Sequence, residues 1–168
     1  MKLQIVMPKP INKILRGTGH NPLCDDPHNK TKSGLDSKSF CHIFSYRVYY
    51  EDTDSGGVVY YANYLKFFER ARADFLRNRG IIQSELVKNS GVIFVVRNCQ
   101  VEYLQPARMD DLIEVGVEII EIGKVSIRLK QEAKLQEKIL SKIDVEIVCV
   151  GAETFKPTRI PPEILSLI

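Results

Sequence analysis

Three carboxylates crowd the segment Tyr49-Tyr50-Glu51-Asp52-Thr53-Asp54-Ser55-Gly56-Gly57, which runs on through Val58-Val59-Tyr60-Tyr61-Ala62-Asn63-Tyr64. Asp52 and Asp54 lie two residues apart, and Gly56-Gly57 lets the backbone turn sharply or approach a ligand closely. The aromatic-rich stretch that follows reads as the start of a helix, whose first N–H groups, near Tyr61 and Ala62, lack intrahelical partners and sit at the positive end of the dipole. A carboxylate beside such donors can activate water or attack a carbonyl, while the donors stabilise the developing oxyanion, typically by about 10²–10³ in rate for one donor. The competing reading is that Asp52 or Asp54 caps the turn and the helix. A divalent metal is the weaker use of an Asp-x-Asp pair, because no third oxygen ligand follows at a metal-loop spacing.

The elements that must position this loop are legible from periodicity. Ile43 to Tyr50 reads as a first strand, rich in aromatic and β-branched residues. Ala62 to Arg79 reads as one long helix, with Tyr61, Tyr64, Leu65, Phe68, Phe75 and Leu76 on its apolar face and Gly80 closing it. Residues 83–90 suggest a short second helix before Gly91. The remainder is strand after strand: Val92 to Leu104, Ile113 to Ile119, then runs in which Val125, Ile127 and Leu129, and later Ile143, Val145 and Ile147, alternate with polar residues. Such alternation describes a sheet with one buried face and antiparallel pairing. Gly123-Lys124 and Gln136-Glu137-Lys138 fit hairpin links. One long amphipathic helix covered by about five strands is an α+β layer arrangement.

Composition excludes several classes. The 168 residues are 44% hydrophobic and 27% charged, ordinary values for one water-soluble domain. No run approaches the roughly 20 apolar residues of a membrane span, and Leu3 to Met7 is too short for a secretion signal, so a cytoplasmic protein is expected. Residues 1–40, punctuated by Pro and Gly without periodicity, read as a disordered extension, leaving 41–168 as the domain. That extension holds seven basic and three acidic residues, so the formal net charge of +3 leaves −1 on the rest. The electrostatic footprint of a nucleic-acid binder is missing. Neither a Gly-x-Gly-x-x-Gly nor a Walker-type loop is present. Cys24, Cys41, Cys99 and Cys149 are scattered and the three histidines give no ligand spacing, so no metal site is expected. Cys99 and Cys149 read as buried, inert thiols.

Tyr46 to Tyr60 with Asn63-Tyr64 and Phe68-Glu69-Arg70-Ala71-Arg72 closely resembles the hotdog-fold acyl-CoA thioesterases of the 4-hydroxybenzoyl-CoA thioesterase family. Within that family the pattern is most like the YbgC branch associated with the Tol-Pal cell-envelope system. Matches continue through Phe94-Val95-Val96-Arg97, Val101-Glu102-Tyr103 and Pro106-Ala107-Arg108-Met109-Asp110-Asp111, covering roughly residues 43–165. The resemblance implies a hotdog fold, a long antiparallel sheet wrapped around one helix, in homodimers that often pair into homotetramers. It implies hydrolysis of a small or medium acyl-CoA, or an acyl carrier protein thioester, without a cofactor. Asp54 would be nucleophile or general base, and the backbone N–H of Tyr61 would polarise the carbonyl. Asp52, Gly56 and Gly57 would support the loop. The branch commonly carries His where this chain has Tyr61, so a side-chain acid/base role there is not implied. A non-hydrolytic acyl-CoA or acyl-carrier-protein binding module of the same fold is the alternative.

Glu69 and Arg72 are secondary candidates. Some related enzymes use a helix Glu as catalyst, yet Glu69 and Arg72, three residues apart, suit an ion pair, and an Arg on an apolar stripe needs a carboxylate. Arg97, Arg108 and Arg128 are possible phosphate contacts, although solvated charge suffices for each. Tyr49, Tyr50 and Tyr60 read as core and interface packing.

Overall fold

The computed structural model describes Phe40 and residues 42–168, which fall within one compact unit. Apart from Phe40, the extension expected over residues 1–40 lies outside the described residues, as do Cys24 and Cys41.

Five strands, β1 (His42–Arg47), β2 (Val92–Tyr103), β3 (Leu112–Ile122), β4 (Ser126–Leu135) and β5 (Lys138–Gly151), form one antiparallel sheet in the order β1-β3-β4-β5-β2. Helix α1 (Asn63–Asn78) lies chiefly against β3, β1 and β4, helix α2 (Gln83–Ser90) against β2, and a final turn, α3 (Pro162–Leu165), closes the chain. This is the expected hotdog arrangement. The period-2 pattern places Ile113, Val115 and Val117 of β3, Ile127, Leu129 and Ala133 of β4, and Ile143, Val145 and Ile147 of β5 against the helix, all buried.

The opposite face carries charge in registered rows. Glu118 of β3 faces Lys130 of β4, which faces Asp144 of β5; Glu121, Arg128 and Glu146 form a second row, and Glu132 faces Lys142 in a third. Arg128 reaches Glu121 at 3.1 Å and Lys142 reaches Glu132 at 3.7 Å. Arg97 approaches Glu146 at 3.6 Å. Arg97 and Arg128 are thus engaged with carboxylates of this surface.

Four expectations are corrected. The first strand ends at Arg47, because Tyr50–Asp52 form a turn of 3-10 helix, closed by Thr53 N–H on Tyr50 O and by Tyr49 N–H on the Asp52 carboxylate. Helix α1 begins at Asn63, and its buried face is Tyr64, Phe67, Phe68, Ala71, Arg72, Phe75 and Leu76. Tyr61 precedes the helix, and both it and Leu65 are exposed. Tyr49, Tyr50 and Tyr60 are exposed instead of packed in the core. Cys149 is buried as expected, but Cys99 is exposed: it stands on β2, an edge strand, beyond a bulge between Val96 and Asn98. Among the described residues, no helix is long and apolar enough to cross a membrane.

Candidate active site

The acidic loop is held by its backbone. Thr53 bridges Val59 across a narrow ladder, Asp54 N–H donates to Val58 O at 2.9 Å, and Gly57 N–H donates to Asp54 O at 3.0 Å. Gly57 has φ +72°, the left-handed region where a side chain is strained. Gly56 is needed for a different reason: a Cβ there would stand 3.0 Å from Asp54 Oδ1, which accepts the Gly56 N–H at 2.8 Å. Both glycines therefore serve the placement of Asp54.

The three carboxylates separate by environment. Glu51 is exposed. Asp52 is 1% exposed; its Oδ2 accepts the Tyr49 N–H at 2.9 Å, and its carbonyl accepts Tyr60 N–H and Asn63 Nδ2, each at 2.9 Å. Asp52 is the structural cap of the 3-10 turn and ties that turn to the start of α1. Asp54 is exposed, and beyond the Gly56 contact its carboxylate takes no other hydrogen bond from the described residues. The free carboxylate is the one two residues along.

Helix α1 has no side-chain cap at Ala62, and the preceding turn closes by Asn63 N–H on Tyr60 O at 2.8 Å. No hydrogen bond among the described residues takes up the N–H of Tyr61 or Ala62. These donors and Asp54 stand on the two arms of the Thr53–Val59 ladder. The Tyr60 phenol has its pKa raised, first by a hydrogen bond with Tyr61, then by the charge of Tyr61 and, more weakly, by burial and Asp54.

Residues not singled out in the sequence for this role anchor the site from behind. Tyr64, buried at the first turn of α1, receives the Ala107 N–H on its hydroxyl at 3.0 Å, while Ala107 O accepts the Val59 N–H at 2.8 Å. Burial pushes the Tyr64 phenol up. Asn63 binds the loop through Asp52 O. An Asn and a Tyr opening an otherwise apolar helix face were the available signal. Beside them, Tyr61 packs edge-on against Tyr103 at 6.0 Å, and Tyr64 packs on the same ring at 5.9 Å.

Glu69 and Arg72 do not join this group. Arg72 is buried and donates to Glu69, as the spacing suggested, and to Gln131 Oε1 at 2.7 Å; Gln131 in turn donates to Phe68 O at 2.9 Å. Glu69 is 52% exposed at its side chain. The pair ties α1 to β4. Arg108 donates its backbone N–H to Asp111 at 2.7 Å. Among the described residues no group of three His, Cys, Asp or Glu has the geometry to hold a metal ion.

Residues 48–168 match the family model described as the thioesterase-like superfamily. The chain belongs to that superfamily. It is 41% identical over 121 residues to the acyl-CoA thioesterase YbgC of Haemophilus influenzae, covering 72% of this chain and 89% of that protein. It is 42% identical to the acyl-CoA thioester hydrolase YbgC of Escherichia coli O157:H7, over 71% of this chain and 90% of that one. Among solved structures, a probable thioesterase from Bartonella henselae superposes with a TM-score of 0.68 at 38% identity, covering 73% of this chain and all of that one. A DHNA-CoA thioesterase from Staphylococcus aureus gives a TM-score of 0.71 at 25% identity, over 75% and 87% of the two chains.

Proposed function

We propose that this thioesterase-like chain hydrolyses acyl-CoA thioesters, with Asp54 as nucleophile or general base. The observation that carries the reading is the pairing, across one short ladder, of an exposed carboxylate with the unpartnered N–H groups that open α1. The thioester carbonyl oxygen is held by the N–H of Tyr61. Water, activated by Asp54, adds to the carbonyl carbon; alternatively the carboxylate adds first and water cleaves the resulting anhydride. In either case the C–S bond breaks, the acyl group leaves as the free acid and CoA as the thiol. Main-chain donation frees position 61 from needing an imidazole, which accommodates Tyr there. No further cofactor is required, since CoA arrives with the substrate.

The functional unit in this reading is a cytoplasmic homodimer or homotetramer, with CoA lying between subunits. The outer edge of β2, which no other strand among the described residues pairs, supports this. Three surface depressions are lined by other residues, among them Glu132 and Lys142, Asn98 and Glu146, and His42 and Arg79. Acyl carrier protein thioesters are an alternative acyl donor. Incubating purified protein with acyl-CoAs of several lengths and a thiol reagent tests the activity. Release of free CoA is expected; no release from any of them refutes hydrolysis and leaves a non-hydrolytic acyl-CoA binding module.

A further inference from the structure

At the end of α1 opposite the acidic loop, Arg79 is set apart from the arginines that the fold engages elsewhere. Arg72, Arg77, Arg97 and Arg128 each meet a carboxylate. Arg79 meets none among the described residues: its Nη2 lies 2.8 Å from His42 Nε2, and its Nη1 donates to Phe75 O at 3.4 Å. Both partners are uncharged, since His42 has its pKa lowered by burial and then by Arg79 itself. The guanidinium is half-buried and stacked 3.7 Å above the Phe75 ring, which fixes its plane. Burial pulls its pKa down, the response of a cation withdrawn from water without a counter-charge. Arg79 and His42 stand in the wall of an open cavity of about 370 Å³, much of whose remaining surface is apolar, formed by Phe75, Val117, Ile119 and Ile122. Glu118 also borders the cavity and stands opposite Lys130 in the β3–β4 register. The volume falls at the lower end of the roughly 300–1,000 Å³ of small-molecule sites.

We propose that this cavity is a second ligand site, for a compact monocarboxylic acid whose carboxylate pairs with Arg79 and whose apolar body lies on Phe75, Val117 and Ile119. A guanidinium has more N–H donors than the two engaged here, and its planar fork matches the two oxygens of a carboxylate. One guanidinium balances one negative charge, which favours a monoanion over a phosphate dianion or a dicarboxylate. The apolar walls and the modest volume call for a body the size of benzoate or octanoate. Helix α1 is 16 residues long, about 24 Å at its rise per residue, so this site is separate from the carbonyl-binding end at Tyr61. Such an acid belongs to the class that thioester hydrolysis releases. Its binding at Arg79 requires no turnover and stands independently of the hydrolase reading.

The imidazole of His42 reports on this site directly by proton NMR, its signals picked out among the chain's three histidines by their loss in His42→Gln. In the full-length protein at constant pH, octanoate shifts these signals saturably, with a Kd on the order of 0.1–1 mM for a ligand of about ten non-hydrogen atoms. Octanamide, which has the same body without the charge, binds about ten-fold more weakly or worse, and Arg79→Gln loses octanoate affinity by a similar factor. Ile122→Trp keeps Arg79 but fills the cavity, and it abolishes the shift even where Arg79→Gln is too unstable to measure. The proposal is overturned by His42 signals that octanoate leaves unmoved up to about 10 mM, by equal affinity for octanamide, or by undiminished binding in Ile122→Trp. Octanoate binding at His42 in protein that releases no CoA from any acyl-CoA upholds the site and overturns only the hydrolase reading.

Discussion

Replacing Asp54 with Asn separates chemistry from architecture at this site. The only hydrogen bond its carboxylate takes from the described residues is the Gly56 N–H at 2.8 Å, which an Asn Oδ1 can accept equally, and the side chain is exposed. Global stability should therefore change by no more than about 0.5 kcal/mol. A positioned base contributes typically 10²–10⁴ to the rate, so kcat/KM for acyl-CoA hydrolysis should fall by about 10³, close to 4 kcal/mol of transition-state stabilisation. Binding of a non-hydrolysable thioether analogue should be retained. Asp52→Asn is the informative contrast. Its new amide would place donors where the native residue is 1% exposed and accepts from Tyr49. Unsatisfied donors there cost about 1–3 kcal/mol, or roughly 2–12 °C in Tm, with turnover of the folded protein much less affected. Free-CoA release, calorimetric binding and thermal unfolding on both variants make the comparison. Asp54→Asn retaining more than about a tenth of parental kcat/KM, or Asp52→Asn losing turnover at unchanged Tm, would refute the division of labour between the two carboxylates.

Three further outcomes follow from the geometry. Gly57→Ala, at φ +72°, should lose about 1–2 kcal/mol by thermal unfolding, and activity with it, since the turn places Asp54. Arg72→Leu should cost about 1–3 kcal/mol because the fully buried Gln131 Oε1 loses its donor; adding Gln131→Leu should recover part of that, measured by denaturant unfolding, and no recovery would refute the coupling. His42 has its pKa lowered by burial and then by Arg79, whose guanidinium lies 2.8 Å from Nε2. The folded state thus favours neutral imidazole. That stability is present above the unfolded value of 6.5 and is lost as pH falls through the lower folded value. Unfolding free energy measured from about pH 7.5 to pH 5 should fall more steeply in the parent than in His42→Gln; parallel curves would exclude the linkage.

Much of the fold was legible because its signal is periodic. The alternation at Ile113 to Ile119 and Ile143 to Ile147 describes one buried sheet face, and Gly123-Lys124 fits a tight link. What misled was local chemistry overriding local pattern. Tyr46 to Tyr50 has strand composition throughout, but the Asp52 carboxylate captures the Tyr49 N–H and starts a turn. Tyr61 falls at helical spacing from Tyr64 and Leu65, yet the helix begins only at Asn63. Cys99 sits in an apolar run, and neither the bulge before it nor its place on an edge strand is encoded within that run. At the site, the loop and its glycines stood out; residue type alone does not tell Asp52 from Asp54, which only the family resemblance distinguished in the sequence, and in the structure burial separates them. Gln131, 59 residues from Arg72, carried no sequence signal of its partnership.

The charged rows on the outer face hold a kind of information that the core does not. Along β4 and β5 the inward residues are mostly aliphatic, interrupted by Gln131 and Ser141, so sliding one strand by two positions would keep mostly apolar groups inside. The outer charges add discrimination to what those two polar positions supply. In the native alignment Arg128, Lys130 and Glu132 face Glu146, Asp144 and Lys142. A two-residue slip one way sets Lys130 against Lys142, and the other way sets Glu132 against Asp144, each a like-charge contact that disfavours the pairing. Exposed pairs of this kind add little to stability; their effect is to make the hairpin's correct alignment the one the folding chain settles into, and with it the placement of every inward side chain that β4 and β5 contribute beneath α1.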